Sequence, residues 1–285
     1  MEVNKVTIDD AEYPSALKKI KDAPKVLYYK GILPTGKELC IAIVGTRRPS
    51  QYGQQAALEF SREFSNAGAT VVSGLAPGID TFAHQAVIEN KQRTIAVLGT
   101  GLDEKSLYPK SNLELSRKIV EHGGCLISEL PEGTGGTIYS FPRRNRIVSA
   151  LSEAVIVIEA KEKSGSLITA QLAIKQQKKL FAVPGSIYSL NSAGPNKLIK
   201  QGALLAENAN DVLNVLGISG QQRLEITAEN EEEQLILNAL TEESLGVDAI
   251  IKKTNLPASA VSAALALMEI SGKIRSLGGN TYSLN

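Results

Sequence analysis

The sequence predicts an α/β protein: a Rossmann-like, doubly wound, mostly parallel sheet followed by a small C-terminal winged-helix domain. Three observations carry this reading. Between residues 40 and 183 the apolar runs CIAIV, TVVS, TIAVL, CLIS, VIVIE and LFAV lack polar alternation, as parallel strands covered on both faces do. Helical segments separate them, which makes a βα repeat. Periodicity then lapses over 218–230, and three helical segments with a GGN hairpin signal follow within 231–285.

Taken in order, residues 1–38 hold a short helix over Ala11–Ile20 and a strand in KVLYYKG, and they read as a connecting segment. The Rossmann-like domain over 39–217 begins with a strand at 40–44 and a helix at 54–66. A strand at 70–73 and a helix ending at Glu89 come next, then a strand at 94–98 and a helix at 112–121. A strand at 125–128 leads into a long loop, 129–141, and a helix at 144–151. Strand 155–159, helix 166–175, strand 180–183 and helix 196–201 complete the domain. Residues 218–230 read as a linker, and 231–285 as the winged helix, with helices at 231–240, 247–254 and 257–271. The third of these is mostly small and apolar, where a DNA-reading winged helix usually carries basic and amide side chains. It is better suited to protein contact or weak backbone binding.

Composition narrows the class. With 43% hydrophobic and 21% charged residues the chain has an ordinary globular make-up. No run of about 18 apolar residues is present, so no membrane span is expected. The first residues, MEVNKVTIDDAEYP, lack a basic start and an apolar core, so no secretory signal is expected either. Cys40 and Cys125 both begin apolar runs and read as buried strand residues of a reduced, cytoplasmic protein. Net charge is +1, so any polyanion must be held by a local patch and not by a global field.

Ligands of such sheets bind at the carboxyl ends of the strands. There the sequence places Gly45-Thr46-Arg47-Arg48, Lys110 in LYPKSN, the run Phe141-Pro-Arg143-Arg144-Asn145-Arg146, and Ser164-Gly165-Ser166. Backbone N–H groups at a βα turn favour phosphate, and arginine offers it bidentate donors. Ser166 reads as a helix N-cap that closes a second anion nest. Cations at a helix start oppose the dipole unless an anion is bound. Phe141 beside them suits stacking on an unpaired base. The plainer readings are that tight turns need glycine, that Ser166 is an ordinary cap, that Phe141 plugs the core and that Arg146 braces its loop.

Catalytic motifs are missing. The string GTRRPSQYG is not the dinucleotide fingerprint, and no Walker A sequence occurs. His84 and His122 have no Cys or Asp at metal spacing, and no GxSxG elbow appears. Asp80, Glu129 and Glu159 lie near strand ends, and Asp80 reads as an N-cap that organises the loop after Gly78. No cofactor and no metal are expected, and binding is favoured over catalysis.

The motifs SGLAPGIDTFAH, TIAVLGTGLD, YPKSN, SFPRRNRIVSALSEAVIVIEA, SGSLITA, VPGS and GPNKLIKQGA, in this order and spacing, closely resemble the DprA/Smf family of DNA-processing proteins. The resemblance covers residues 8 to 216, and the C-terminal module looks like that family's winged helix. It implies an extended Rossmann core that forms a homodimer and binds single-stranded DNA without hydrolysing a nucleotide. It also implies a role in natural transformation: protecting incoming DNA and loading the RecA recombinase onto it. Arg47, Lys110, Arg143, Arg144 and Asn145 match the family's basic pocket. The N-terminal helical module of some members looks reduced or missing.

Two other readings remain. One is a nucleotide hydrolase of the LOG phosphoribohydrolase type, whose PGGxGTxxE motif is nearest to residues 132–140 here, with Ser140 at the glutamate position. The other makes the winged helix the main DNA reader.

Overall fold

The computed structural model describes residues 2–218, 228–241, 243–271 and 273–284, and the chain divides into two units near residue 220. In the first unit β1 (Asn4–Thr7), α1 (Ser15–Lys18) and β2 (Val26–Gly31) precede the βα repeat. The repeat runs β3 (Cys40–Val44), α2 (Gln51–Asn66), β4 (Thr70–Ser73), α3 (Ile79–Glu89), β5 (Thr94–Leu98) and α4 (Leu113–Glu121). It continues β6 (Cys125–Ser128), α5 (Ser140–Leu151), β7 (Ala154–Val157), α6 (Ser166–Lys175), β8 (Lys179–Ala182), α7 (Ala193–Lys200), β9 (Leu204–Leu205) and α8 (Ala209–Val215).

These strands form one nine-stranded sheet in the order β1-β2-β6-β5-β4-β3-β7-β8-β9. Strands β3 to β9 run parallel, while β1 and β2 are antiparallel additions at one edge. Side-chain alternation along each strand feeds two apolar layers. On β3, Ile41 and Ile43 pack with Phe60 and Phe64 of α2 and with Ile79 and Ala83 of α3. Cys40, Ala42 and Val44 face the other way, onto Ile147, Val148 and Leu151 of α5 and Ala170 and Ala173 of α6.

The topology places the site. From β3 the chain steps outward to β6, then α5 carries it back to β7 on the opposite side of β3. The loops leaving β3 and β7 therefore diverge, and a crevice opens above their carboxyl ends. Because it belongs to the returning crossover, α5 starts above the ends of β5 and β4.

Several elements differ from their sequence reading. Residues 4–31 are part of the sheet and not a connector, since Tyr28 of β2 pairs with Ser128 of β6. The helix expected over Ala11–Ile20 shrinks to α1, because Pro14 keeps Tyr13 out of helical geometry. Helix α5 starts at Ser140, four residues before the expected start, because Pro142 fits within a first turn that needs no N–H from it. Strand β9 and helix α8, which carries an Asn208–Asp211 capping box, were not expected.

The second unit comprises α9 (Glu231–Leu240), β10 (Leu245–Gly246), α10 (Val247–Thr254), α11 (Ala258–Ile270), β11 (Ile274–Gly278) and β12 (Thr281–Leu284), with a β10-β12-β11 sheet. Gly279 and Asn280 both have φ near +60°, the two-residue turn that a tight hairpin requires. Ile236, Ile250, Val261, Leu265, Met268 and Ile274 form its core. Helix α11 exposes Leu267 and Ile270 and contains no basic residue. Most of the linker read over 218–230, residues 219–227, lies outside the described residues.

One buried group makes this fold sensitive to acid. His84 of α3 is fully buried, with Nδ1 2.8 Å from Thr94 Oγ1, whose hydroxyl donates to the Val71 carbonyl at 2.7 Å. Thr94 therefore accepts from Nδ1–H, and Nε2 has no partner. Burial, and next the nearby Arg144 charge, push the imidazole from 6.5 down to about 3. The unfolded chain takes up a proton that the folded chain refuses, so this contribution is full above pH 6.5 and lost as pH falls toward 3. The slope is up to ~1.4 kcal/mol per pH unit. Urea midpoints at pH 7.5, 5.5 and 4.5 should fall more steeply for the native chain than for His84→Asn. Parallel declines would contradict the assignment.

Candidate nucleic-acid interface

A cleft of about 980 Å³ lies above the carboxyl ends of the central strands, at the upper end of the ~300–1,000 Å³ typical of ligand pockets. Its first wall is the loop after β3. Gly45 is required there, because a Cβ would press on the Ile79 side chain of α3. Thr46 N donates to the Glu159 carbonyl (2.6 Å), Ile79 N donates to the Thr46 carbonyl (3.2 Å), and Arg48 N donates to Thr46 Oγ1 (3.3 Å). The buried Glu159 carboxylate accepts from Ser50 N and Ser50 Oγ, and so fixes the start of α2. With its backbone held at these points, the loop leaves the Arg47 and Arg48 side chains exposed, neither paired with a carboxylate among the described residues.

The opposite wall is the loop after β7 with the N-terminus of α6. Lys161 and Lys163 are exposed there, and Ser164, Gly165 and Ser166 line the cleft. Gly165, and not Ser166, is the N-cap residue of α6. Ser164 Oγ lies 2.8 Å from Ser166 Oγ and accepts from Ser166 N at 3.4 Å. A Cβ on Gly165 would meet nothing within 4 Å, so the backbone is open to a ligand at the positive end of a ten-residue helix.

Helix α5 forms the floor, and its periodicity divides the basic run. Phe141, Arg144, Asn145 and Val148, at positions i, i+3, i+4 and i+7, face the cleft. Arg143 and Arg146 lie on another face and share one acceptor, Glu129 Oε1, at 3.0 and 2.8 Å. Arg146 is buried and also pairs with Asp22 at 2.8 Å. The expectation that all three arginines line one anion site is therefore corrected: Arg143 and Arg146 tie α5 to the loop after β6 and lie outside the cleft. The split was hidden because the sequence reading began the helix only at Arg144.

Arg144 points into the cleft floor but is buried. Nη1 donates to the Gly74 carbonyl (2.6 Å) and to the Val97 carbonyl, at the ends of β4 and β5, and Nε donates to Asn145 Oδ1 (3.1 Å). Gly74 makes room for the guanidinium, since a Cβ there would collide with it. Asp80 Oδ2 accepts from Gly74 N (3.0 Å) and Ala76 N (3.3 Å), so it binds the β4–α3 loop ahead of Gly78; the N-cap of α3 is Gly78 and not Asp80, which corrects that expectation. Burial pushes the Asp80 carboxyl up despite the pull of Arg144. It also pushes Arg144 down to about 10, so the guanidinium stays charged at neutral pH.

Phe141 is enclosed. It sits in the first turn of α5, where a Cβ on Gly99 would come 2.8 Å from its Cδ1 and a Cβ on Gly136 would strike its Cζ. The Arg47 guanidinium stands 5.8 Å from its ring centre, and the Tyr108 ring packs at 5.6 Å and 51°. The exposed loop aromatic expected at this position is thus a partly buried wedge. Lys110 borders the cleft with its ammonium donating to the Glu104 and Lys105 carbonyls. Lys105 and Tyr108 also line it; sequence reasoning missed both, although they stand just before Lys110 in KSLYPK.

The resulting field is one-sided. Among the described residues that line the cleft, Arg47, Arg48, Lys105, Lys110, Lys161, Lys163 and Arg144 are joined by a single acidic side chain, the buried Asp80. At the position of the LOG glutamate stands Ser140, whose hydroxyl donates to the Gly99 carbonyl at 2.7 Å and holds the loop. Among the described residues no group of three His, Cys, Asp or Glu side chains is placed to hold a metal, and no helix is long and apolar enough to cross a membrane.

Comparison with known proteins places this architecture. Residues 4–217 match the family model for DNA recombination-mediator protein A, and 222–280 match the DprA winged helix domain. DNA processing protein DprA of Bacillus subtilis (strain 168) is 45% identical over 217 residues, covering 75% of this chain and 71% of that one. Protein Smf of Escherichia coli (strain K12) is 35% identical over 290 residues, covering 98% and 77%. The structure of DNA processing protein A from Helicobacter pylori, described for its single-stranded DNA binding mode, matches with a TM-score of 0.66 at 35% identity, covering 75% and 95%. With both of its units matched by the family's models, the chain belongs to the DprA/Smf family of DNA-processing proteins.

Proposed function

We propose that this chain binds single-stranded DNA by its phosphates in the cleft between the β3 and β7 loops, without performing chemistry on it. One observation carries the reading: exposed cations, unpaired with carboxylates among the described residues, line an open cleft where the one acidic side chain of the described lining is buried and committed to backbone N–H groups. Arg47, Arg48, Lys105, Lys161 and Lys163 take the phosphates, with Lys110 fixed at the rim. Thr46, Ser164, Gly165 and Ser166 add hydroxyl and backbone donors, and Asn145, whose Nδ2 donates to the Gly165 carbonyl at 3.4 Å, sets the α6 end against α5. A LOG-type hydrolase is disfavoured because Ser140 and Asp80 are both held in structural bonds. The further steps that the family resemblance implies belong to the same proposal: a cytoplasmic homodimer that protects incoming DNA in natural transformation and loads RecA onto it.

Phosphate contacts carry no sequence information. In a shift assay, Arg47→Ala should therefore weaken binding to oligo-dT and to mixed single strands alike, by roughly 5- to 30-fold for a charge-assisted contact of ~1–2 kcal/mol. Single strands should be preferred over duplex of equal length. A variant that binds as the native chain does, or a preference for duplex, would refute this placement of the DNA.

A further inference from the structure

We propose that Tyr108 is the residue on which an unpaired base of the bound strand stacks, with Phe141 serving as its buttress. This rests on the single-strand reading above and assigns the aromatic contact within it. A stacking platform needs an open π face beside a cation-lined path, so that the base lies on the ring while its phosphate meets a charge. Phe141 lacks that face: Arg47 and Tyr108 cover it, and its edge is wedged against Gly99 and Gly136. Tyr108 has it: the side chain lines the cleft and is 49% exposed. Its ring is supported from below by Phe141 at 5.6 Å, a distance that leaves no room for a base between the two rings and directs the base to the outer face.

The flanking charges fit the same arrangement. Lys105 and Lys110 lie within three residues of Tyr108, and the Lys110 ammonium is pinned on the Glu104 and Lys105 carbonyls. A phosphate on either side of a stacked base would meet one of them. Arg47, over Phe141, supplies a further cation on the inner side. The tyrosine hydroxyl is not required for stacking, so phenylalanine should substitute for it.

The chain contains no tryptophan, so Tyr108→Trp introduces a single emitter at the site, and Tyr188→Trp, 91% exposed and outside the cleft lining, serves as control. Titration with oligo-dT, followed by both anisotropy of a labelled oligonucleotide and tryptophan emission, should quench the residue-108 emitter and leave the residue-188 emitter nearly unchanged. Tyr108→Ala should weaken oligo-dT binding about 5- to 150-fold, and Tyr108→Phe should restore it. An abasic strand of equal length should bind native chain and Tyr108→Ala with nearly the same affinity. Salt-sensitive binding without quenching at residue 108, or equal losses on oligo-dT and the abasic strand, would overturn the stacking assignment and leave the single-strand reading intact. Absence of salt-sensitive binding to any single strand would overturn both.

Discussion

Arg144→Ala is expected to unfold the first unit ~6–24 °C below the native chain, the largest loss of any single change in the cleft. The guanidinium is buried and joins the carboxyl ends of β4 and β5 through the Gly74 and Val97 carbonyls. Its removal takes the donor from both carbonyls and the nearby positive charge that offsets the burial of the Asp80 carboxyl. A buried hydrogen bond from a charged donor contributes about 1.5–3 kcal/mol, so losing the two to these carbonyls costs about 3–6 kcal/mol, and each kcal/mol lowers the melting temperature of a unit this size by roughly 2–4 °C. Lysine should not rescue it, because a point charge cannot span two carbonyls and Asn145 Oδ1 at once. Arg47→Ala, at an exposed position, should stay within about 0.5 kcal/mol of native stability. The two arginines therefore separate stability from binding. A native-like melting curve for Arg144→Ala would refute the structural role given to it.

The fold was readable because its strands are covered on both faces: runs such as Cys40–Val44 and Ala154–Val157 have no polar residue to blur their period. Strand β1 was missed, and β2, read as a strand in KVLYYKG, was assigned to a connecting segment and not to the sheet. Their half-buried pattern and antiparallel pairing at the sheet edge look, in sequence, like a linker with one apolar patch. The cleft loops were legible from glycine and cations at strand ends, a position that topology alone marks as a site. What the sequence reading lost lies in α5. Placing its start at Arg144 instead of Ser140 treated Phe141 and Arg143 as loop residues. From the true start, the 3.6-residue period puts Arg144 with Phe141 on the cleft side and Arg143 with Arg146 on the Glu129 side. An apolar position at Val148 and an amide at Asn145 would have shown this, had helix propensity through Pro142 been allowed. Tyr108 and the lysines at 105, 161 and 163 were missed for another reason: exposed loop residues have no periodicity to betray them, and only the approach of the β5, β7 and β3 loops in space makes them neighbours.

The most direct test of phosphate binding in this cleft is the salt dependence of single-strand affinity, measured for the native chain and for Arg47→Gln/Arg48→Gln. Each neutralised phosphate releases counterions, and for single strands log K falls with log salt by about 0.7 per contact. With roughly five contacts, from Arg47, Arg48, Lys105, Lys161 and Lys163, the native slope should be about −3.5, a loss of about 100-fold between ~50 and ~200 mM salt. The double variant removes two contacts from one wall while leaving the buried Arg144–Asp80 floor in place, so its slope should flatten to about −2. A native affinity indifferent to salt, or a double variant with the native slope, would contradict the account.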